Sequence, residues 1–372
     1  MKIGIPKEIK DHEYRIGATP SMVKILAQFG HKVLIQKDGG KKIGFTNEDY
    51  RNAGGIIVES AEEIYTAEMI LKVKEPQPAE YPLLRKEQIL FCFLHLASDP
   101  MQTAALLERE VVAISFETVV DRRGGLPLLT PMSEVAGRIA IQAGAHALHM
   151  ANGGRGVLLG GVPGVAPGKV IIIGGGVAGT QAAKVATQLN ANVTILDVDI
   201  QRLRELDDLF HGVPNTLYST AASIEEEIVD ADLVVGTVLI PGKSAPKVVT
   251  EEMVKKMKCG TVIVDVSIDQ GGCFETSRPT THSDPTYVVH GVVHYCVTNM
   301  PGACARTATY ALINSVLPYA VKIANRGYRK ALLDDPLFMR GLNICLGKVT
   351  HECIAHDLNY DYHLPEEVLR AL

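Results

Sequence analysis

The sequence predicts an α/β protein of two domains, each built on a largely parallel sheet. Three observations lead there. The chain has 372 residues, more than one ordinary core organises, so it divides. Short apolar runs alternate with helical patterns through most of its length, the order in which crossover helices join parallel strands. Helical segments flank the middle third on both sides: 133–150 (SEVAGRIAIQAGAHALHM) and one starting near 303. This is the pattern of one domain inserted into another, with 1–128 and 306–372 forming a discontinuous first domain and 129–305 the insertion.

In the first third the apolar runs are 2–5, 33–35, 70–73, 89–94 and 111–115. The first helix, over SMVKILAQF, is well punctuated: Thr19 caps it, Pro20 suits its first turn and Gly30 ends it. The middle third carries runs at 170–173, 193–196, 233–235 and 261–266, with helices between them. The last third opens on ARTATYALINSVLPYAVKIANRGY, a long helical pattern interrupted at Pro318. The segment after it returns to pack on the first domain. No internal repeat or low-complexity tract is present.

Composition excludes several classes of function. Hydrophobic residues make up 47% and charged residues 21%, which is enough apolar surface to fold and excludes a disordered chain. The net charge of −5 comes without a basic stripe, so nucleic acid is not an expected partner. The seven cysteines form no C-x-x-C pair and are odd in number, which fits reduced thiols in the cytoplasm. MKIGIPKEIK lacks the apolar core of a signal peptide. Residues 156–179 are long and nearly uncharged, but contain nine glycines, two prolines and Lys169. Glycine costs a helix about 1 kcal/mol and proline about 3 kcal/mol relative to alanine, so the stretch reads as loop, buried strand and turn rather than as a membrane span.

The middle of the chain, KVIIIGGGVAGTQAAKVATQLNANVTILDVD, contains G-x-G-x-x-G at Gly174, Gly176 and Gly179. The pattern alone is weak. Here a β-rich run precedes it, an alanine-rich helix follows, and a second strand ends on Asp197 about twenty residues later. Gly174 permits the tight turn, Gly176 lets a pyrophosphate approach the backbone, and Gly179 lets helix and strand pack closely. The helix N-terminus offers free N–H groups to the phosphates. Asp197 would accept hydrogen bonds from ribose hydroxyls and repel a 2′-phosphate, which favours NAD over NADP. Arg202 either tolerates such a phosphate or belongs to a solvated helix face. The inserted domain is therefore of Rossmann type.

Ligands of parallel sheets gather at the carboxyl ends of the strands. Lys7, Glu8 and Arg15 follow the first run, Lys74 the third, His95 the fourth and Glu117 the fifth; Asp269, Gly271 and Gly272 follow 261–266. The set suits an anionic substrate. Arg15 can clamp a carboxylate bidentately, Lys74 can hold a carbonyl oxygen or the same carboxylate, and histidine titrates near neutral pH as proton transfer requires. Each also has a plainer role: Lys74 as a solvated side chain, His95 as a core histidine, Glu117 as a partner of Arg122 or Arg123. His146 and His149 lack a third ligand at suitable spacing, and His290 and His294 lie in an extended run, so no metal site is expected. Ser133 is in no nucleophile elbow.

GIPKE with Arg15, KVKEPQPAEY, FLHLA, PLLTPMSEVAGR, GGRGVLLGGVPGVAPGKVIIIGGG, DQGGCFETSRPTTH and VTNMPGA together resemble the bacterial L-alanine dehydrogenases, from end to end. The combination of GGRGVLLGGVPGV with DQGGCFE is the most specific part. The resemblance implies NAD-dependent interconversion of L-alanine with pyruvate and ammonium by a cytoplasmic homohexamer. It also implies that the outer domain is a flavodoxin- or Rossmann-like substrate domain. It assigns the substrate carboxylate and carbonyl to Arg15 and Lys74, with Asn299 beside them, and acid–base chemistry to His95 and Asp269. The dinucleotide would be lined by Ser133, Val177 and Ala178 beside the three glycines, Asp197, Arg202, Ser219, Val238, Leu239, Val266, Ser267, Ile268, Asp269, Arg278, Val297, Thr298, Asn299 and Met300. One departure is Cys304-Ala305, where the family more often has Val-Pro; it alters the start of a helix and leaves the chemistry alone. Three other functions share parts of this pattern. They are the NAD-binding component of a membrane transhydrogenase, a non-catalytic nucleotide sensor, and a dehydrogenase for another amino acid such as the saccharopine or opine enzymes. The absence of a spanning segment and the presence of His95 and Lys74 argue against the first, a sensor would have no use for His95, Asp269 and Arg15, and a substrate panel decides the third.

Overall fold

The apolar runs become strands wherever both faces are covered. The computed structural model describes residues 1–238 and 244–372. Its strands are β1 (Lys2–Ile5), β2 (Lys32–Gln36), β3 (Ile56–Val58), β4 (Met69–Leu71), β5 (Ile89–Cys92), β6 (Val112–Ser115), β7 (Lys169–Ile173), β8 (Asn192–Asp197), β9 (Asn215–Tyr218), β10 (Leu233–Gly236), β11 (Val262–Asp265), β12 (Thr286–Val289), β13 (Val292–Tyr295), β14 (Leu342–Cys345) and β15 (Lys348–Val349). The chain divides into two compact units, Met1–Met132 with Cys304–Leu372, and Ser133–Ala303.

The first unit holds a sheet of order β15-β14-β6-β5-β4-β1-β2-β3. β1 to β6 are mutually parallel where they pair, while β14 runs antiparallel to β6 and β15 antiparallel to β14. The C-terminal segment thus completes the sheet that the N-terminal segment begins. Both faces of β5 and β6 are buried, and Phe91 packs edge-on against Phe116 at 4.6 Å between ring centres. Such buried parallel strands read as continuous apolar runs. The first helix, Pro20–Gln28, is capped by Thr19, whose side chain accepts from the Met22 N–H, and Gly30 leaves it with φ of 80°.

The second unit holds a sheet of order β12-β13-β11-β10-β7-β8-β9, parallel except for β12. In each sheet the first strand in sequence lies in the interior and the order reverses beside it, between β1 and β4 in one and between β7 and β10 in the other. A reversal leaves a crevice beyond the strand ends, where ligands bind in such sheets.

One expectation fails. The helix Ala305–Arg326 runs through Pro318 without interruption. Proline removes one backbone hydrogen bond and crowds the preceding turn, which costs about 3 kcal/mol. Leu312, Ile313, Val316, Ala320 and Ile323 are buried on both sides of it, and their packing holds the helix together. No helix among the described residues is long and apolar enough to cross a membrane.

Candidate functional site

In the first unit, Arg15 and Lys74 flank the reversal between β1 and β4. The loop that follows β1 is closed by an isolated antiparallel bridge between Lys7 and Ile16. Gly17 sets the loop against the end of β4: a Cβ there would lie 2.3 Å from the Leu71 carbonyl oxygen, so only glycine fits. Lys10 ion-pairs with Glu75 just past Lys74. These contacts place the Arg15 loop beside the strand end that carries Lys74.

Arg15 is 2% exposed and its guanidinium is fixed by Glu13. Nε donates to Oε1 at 2.7 Å and Nη2 to Oε2 at 2.5 Å, and Nη1 lies 3.0 Å from the Met132 sulfur. Burial works to raise the Glu13 pKa, but the charge and hydrogen bonds of Arg15 outweigh it and hold the carboxyl at about 2. An open cleft of about 440 Å³ runs along this loop, lined by Lys7, Lys10, Lys41, Lys42 and Arg15 together with Glu8, Asp11, Glu13 and Asp38. Arg15 borders the cleft; Lys74 and His95 do not.

His95 leaves β5 in the left-handed region, with φ of 51°. That conformation costs a side-chain-bearing residue about 1–2 kcal/mol and needs outside support. Glu117, at the end of the adjacent β6, supplies it by accepting from the backbone N–H groups of His95 at 2.6 Å and Leu94 at 3.3 Å. The imidazole stacks on Phe93, its plane within 7° of the phenyl ring, and its Nδ1 lies 3.9 Å from Glu117 Oε1. The side chain is 45% exposed, so His95 is not a core histidine. Glu117 serves this turn rather than Arg122 or Arg123.

In the second unit, Gly174 (φ 103°) turns the chain out of β7 into the helix Val177–Gln188. A Cβ at Gly179 would meet the Gly174 carbonyl oxygen at 1.9 Å, whereas one at Gly176 would meet nothing within 4 Å among the described residues. The turn is therefore closed underneath and open above, where Val177 begins the helix with Ala178 behind it. Asp197, ending β8, accepts from the N–H groups of Gly175 at 2.6 Å and Asp199 at 2.9 Å. Arg202 is not a solvated side chain. Its Nε donates to the Gly175 carbonyl at 2.8 Å and its Nη2 to Thr180 Oγ1 at 2.7 Å, bracing the turn. The Ser219 N–H bonds the Asp197 carbonyl, which brings the end of β9 beside that of β8.

Val266, Ser267, Ile268 and Asp269 form a 3₁₀ turn, Val266–Gln270, directly after β11. Asp265 anchors it. Its wholly buried carboxylate accepts from the N–H groups of Ser267 and Cys273 and from Ser277 Oγ at 2.6 Å. Burial raises its pKa against those hydrogen bonds. Ser267 Oγ donates to the Val238 carbonyl at 2.7 Å, joining the ends of β10 and β11 across the sheet. The segment Val297, Thr298, Asn299 and Met300 follows β13. There the Asn299 backbone, with φ of 64°, offers its carbonyl to the Gly302 N–H and lies 3.1 Å from His282 Nε2. Arg278 lies over the Tyr287 ring at 4.1 Å. Ser133 is in the helix Thr130–Ala147, whose Gly137 packs so closely on Ala178 that a Cβ would lie 2.1 Å from the Ala178 carbonyl oxygen. Leu239 lies outside the described residues.

The sequence reading missed Glu13, Asp265 and a wholly buried lysine, Lys72. Lys72 carried a signal: a charge inside an apolar run must be buried with a partner.

Two family models match the chain: "Alanine dehydrogenase/PNT, N-terminal domain" over residues 4–136 and "Alanine dehydrogenase/PNT, C-terminal domain" over 140–352. Among curated proteins, an alanine dehydrogenase of Staphylococcus haemolyticus is 54% identical, with 100% of each chain covered. One of Halomonas elongata is 52% identical, covering 97% of this chain and 98% of that one. A solved structure named L-alanine dehydrogenase superposes with a TM-score of 0.93 at 51% identity, covering 96% of this chain and 99% of that chain. A transhydrogenase from Sinorhizobium meliloti shares the fold, with a TM-score of 0.79 at 24% identity over 94% of this chain and 99% of that one. With both domain models matched in order and full-length relatives above half identity, the chain belongs to the alanine dehydrogenase/PNT family.

Proposed function

We propose that this protein is an NAD-dependent L-alanine dehydrogenase, which deaminates L-alanine to pyruvate and ammonium and runs in reverse. The full-length likeness to curated alanine dehydrogenases carries the reading. The residues present fit a dinucleotide in the second unit: the open face at Gly176, the glycine-only contact at Gly179 and a carboxylate at the end of β8. Asp197 favours NAD over NADP by like-charge repulsion of a 2′-phosphate. Bound there, NAD would supply the hydride acceptor for oxidation at the substrate α-carbon.

The first unit, 1–128 with 306–372 as read from sequence, is the substrate domain, and 129–305 is the nucleotide domain. Arg15, already oriented by Glu13, receives the substrate carboxylate. Lys74 holds the carbonyl oxygen of pyruvate and polarises it for attack by ammonia. His95, exposed on a supported turn, takes the proton that the alanine ammonium must lose before its α-carbon is oxidised. Asp269, on the turn that Asp265 anchors, is the second acid–base group, and Asn299 lines the substrate. The functional assembly is a cytoplasmic homohexamer. The test of the function is a substrate panel: purified protein, NADH, ammonium and a series of 2-oxo acids, with NADPH in parallel. Pyruvate with NADH should be turned over fastest. A clear preference for another oxo acid would reassign the substrate.

A further inference from the structure

Directly after β4, the Lys72 side chain is wholly buried between two carboxylates. Nζ lies 2.8 Å from Glu80 Oε2 and 3.4 Å from Glu8 Oε2. One cation cannot neutralise two buried carboxylates, and an unpaired buried charge costs several kcal/mol, so the cluster favours a proton on one carboxyl. Glu80 is fully engaged, accepting from Lys72, from Tyr65 Oη at 2.9 Å and from the Gln77 N–H at 2.8 Å. Glu8 is not. Its Oε1 accepts from the N–H of Val73 at 2.6 Å and of Lys74 at 3.4 Å, while its buried Oε2 has no hydrogen-bond partner among the described residues. Glu8 is therefore the carboxyl that gains a proton more readily.

The groups around Glu8 agree. Burial drives its pKa up to about 7; Lys72 opposes the rise, and Glu13 on its own loop and Glu80 across β4 add to it. Cys92 of β5 and Tyr65 also adjoin the cluster, with burial pushing both well upward, so neither supplies a charge.

We propose that Glu8 is a positioning residue for Lys74 that takes up one proton when a carboxylate substrate binds. The inference rests on the reading that Arg15 and Lys74 receive the substrate. Glu8 Oε1 accepts from the N–H groups of Val73 and Lys74, and the charge of Glu13, which holds Arg15, bears on it. A substrate anion on Arg15 and Lys74 offsets those cations, and its negative charge raises the proton affinity of Glu8. Solvent supplies the proton, which goes to Oε2. Pyruvate binding therefore weakens as pH rises above about 7.

Calorimetry of pyruvate binding to the full chain saturated with NADH, without ammonium, tests this at about pH 8 in two buffers of different ionisation enthalpy. The wild type should take up protons and Glu8→Gln should lose that uptake. Equal uptake by both overturns the proposal alone; absence of pyruvate binding by the wild type overturns the substrate reading and the proposal with it. Difference infrared spectroscopy of the wild type needs no variant to fold. Pyruvate should increase the protonated-carboxyl band, and an unchanged band overturns the proposal.

Discussion

Adding a single methyl group at either of two glycines separates a dinucleotide site from a turn that merely needs glycine. At Gly179 the new Cβ would lie 1.9 Å from the Gly174 carbonyl oxygen, where ordinary contact begins at 3.4 Å, so backbone must give by about 1.5 Å. It would also lie 2.8 Å from Thr237 Oγ1, which is tied to the Gly174 carbonyl at 2.7 Å. Overpacking against backbone costs at the upper end of its usual range, about 3 kcal/mol, so Gly179→Ala should lose stability and NADH affinity together. Gly176 differs. It has φ of −63°, open to any residue, and among the described residues its Cβ would meet nothing within 4 Å. Gly176→Ala should keep its stability to within about 0.5 kcal/mol while NADH affinity falls at least about tenfold, because the methyl group occupies the face where a pyrophosphate meets the backbone. Urea denaturation and NADH fluorescence titration of both variants read the two quantities separately. Wild-type NADH affinity in Gly176→Ala would refute the placement of the dinucleotide.

The other predictions concern the first unit. His95→Ala should lower kcat by about 10²- to 10⁴-fold, the usual share of a general acid–base group, with NADH binding unchanged; steady-state rates and NADH titration check it. Lys74→Ala should not saturate with pyruvate at any attainable concentration, whereas a change confined to NADH affinity would misplace Lys74. Glu13, held near 2 against an ordinary 4.5, contributes stability that is complete above about pH 5 and is lost as pH falls through 4.5 toward 2. Urea denaturation across that range should show a steeper loss in the wild type than in Glu13→Gln. At neutral pH the variant should be less stable by about 3–5 kcal/mol, since it removes a buried carboxylate that is ion-paired with Arg15.

How far the sequence was legible depended on burial. Strands covered on both faces, such as β5 and β6, were continuous apolar runs and were read directly. The edge strands β3, β9 and β15 are short and partly exposed, so nothing in their local pattern distinguishes them from loops. β14 joins antiparallel to β6 across more than two hundred residues, a pairing no local period records. Pro318 was misread because helix propensity is local while the packing that overrides it is not. The glycine turn was legible because its geometry permits so few residues. The strand-end residues Arg15, Lys74 and His95 were legible from topology. Glu13, Glu117 and Asp265, which hold the loops carrying Arg15, His95 and Asp269, were not understood, because a carboxylate that accepts backbone N–H groups looks in sequence like any surface acid.

The most direct test of the account follows two isotopes at once. The purified protein is supplied with NADH deuterated at the transferable position, pyruvate and ¹⁵N-ammonium, and the products are resolved by mass spectrometry and NMR. The product should be L-alanine carrying ¹⁵N and deuterium at its α-carbon, one for each NADH oxidised, with none formed when ammonium is omitted. Deuterated lactate in place of alanine, or NADH left intact, would contradict it.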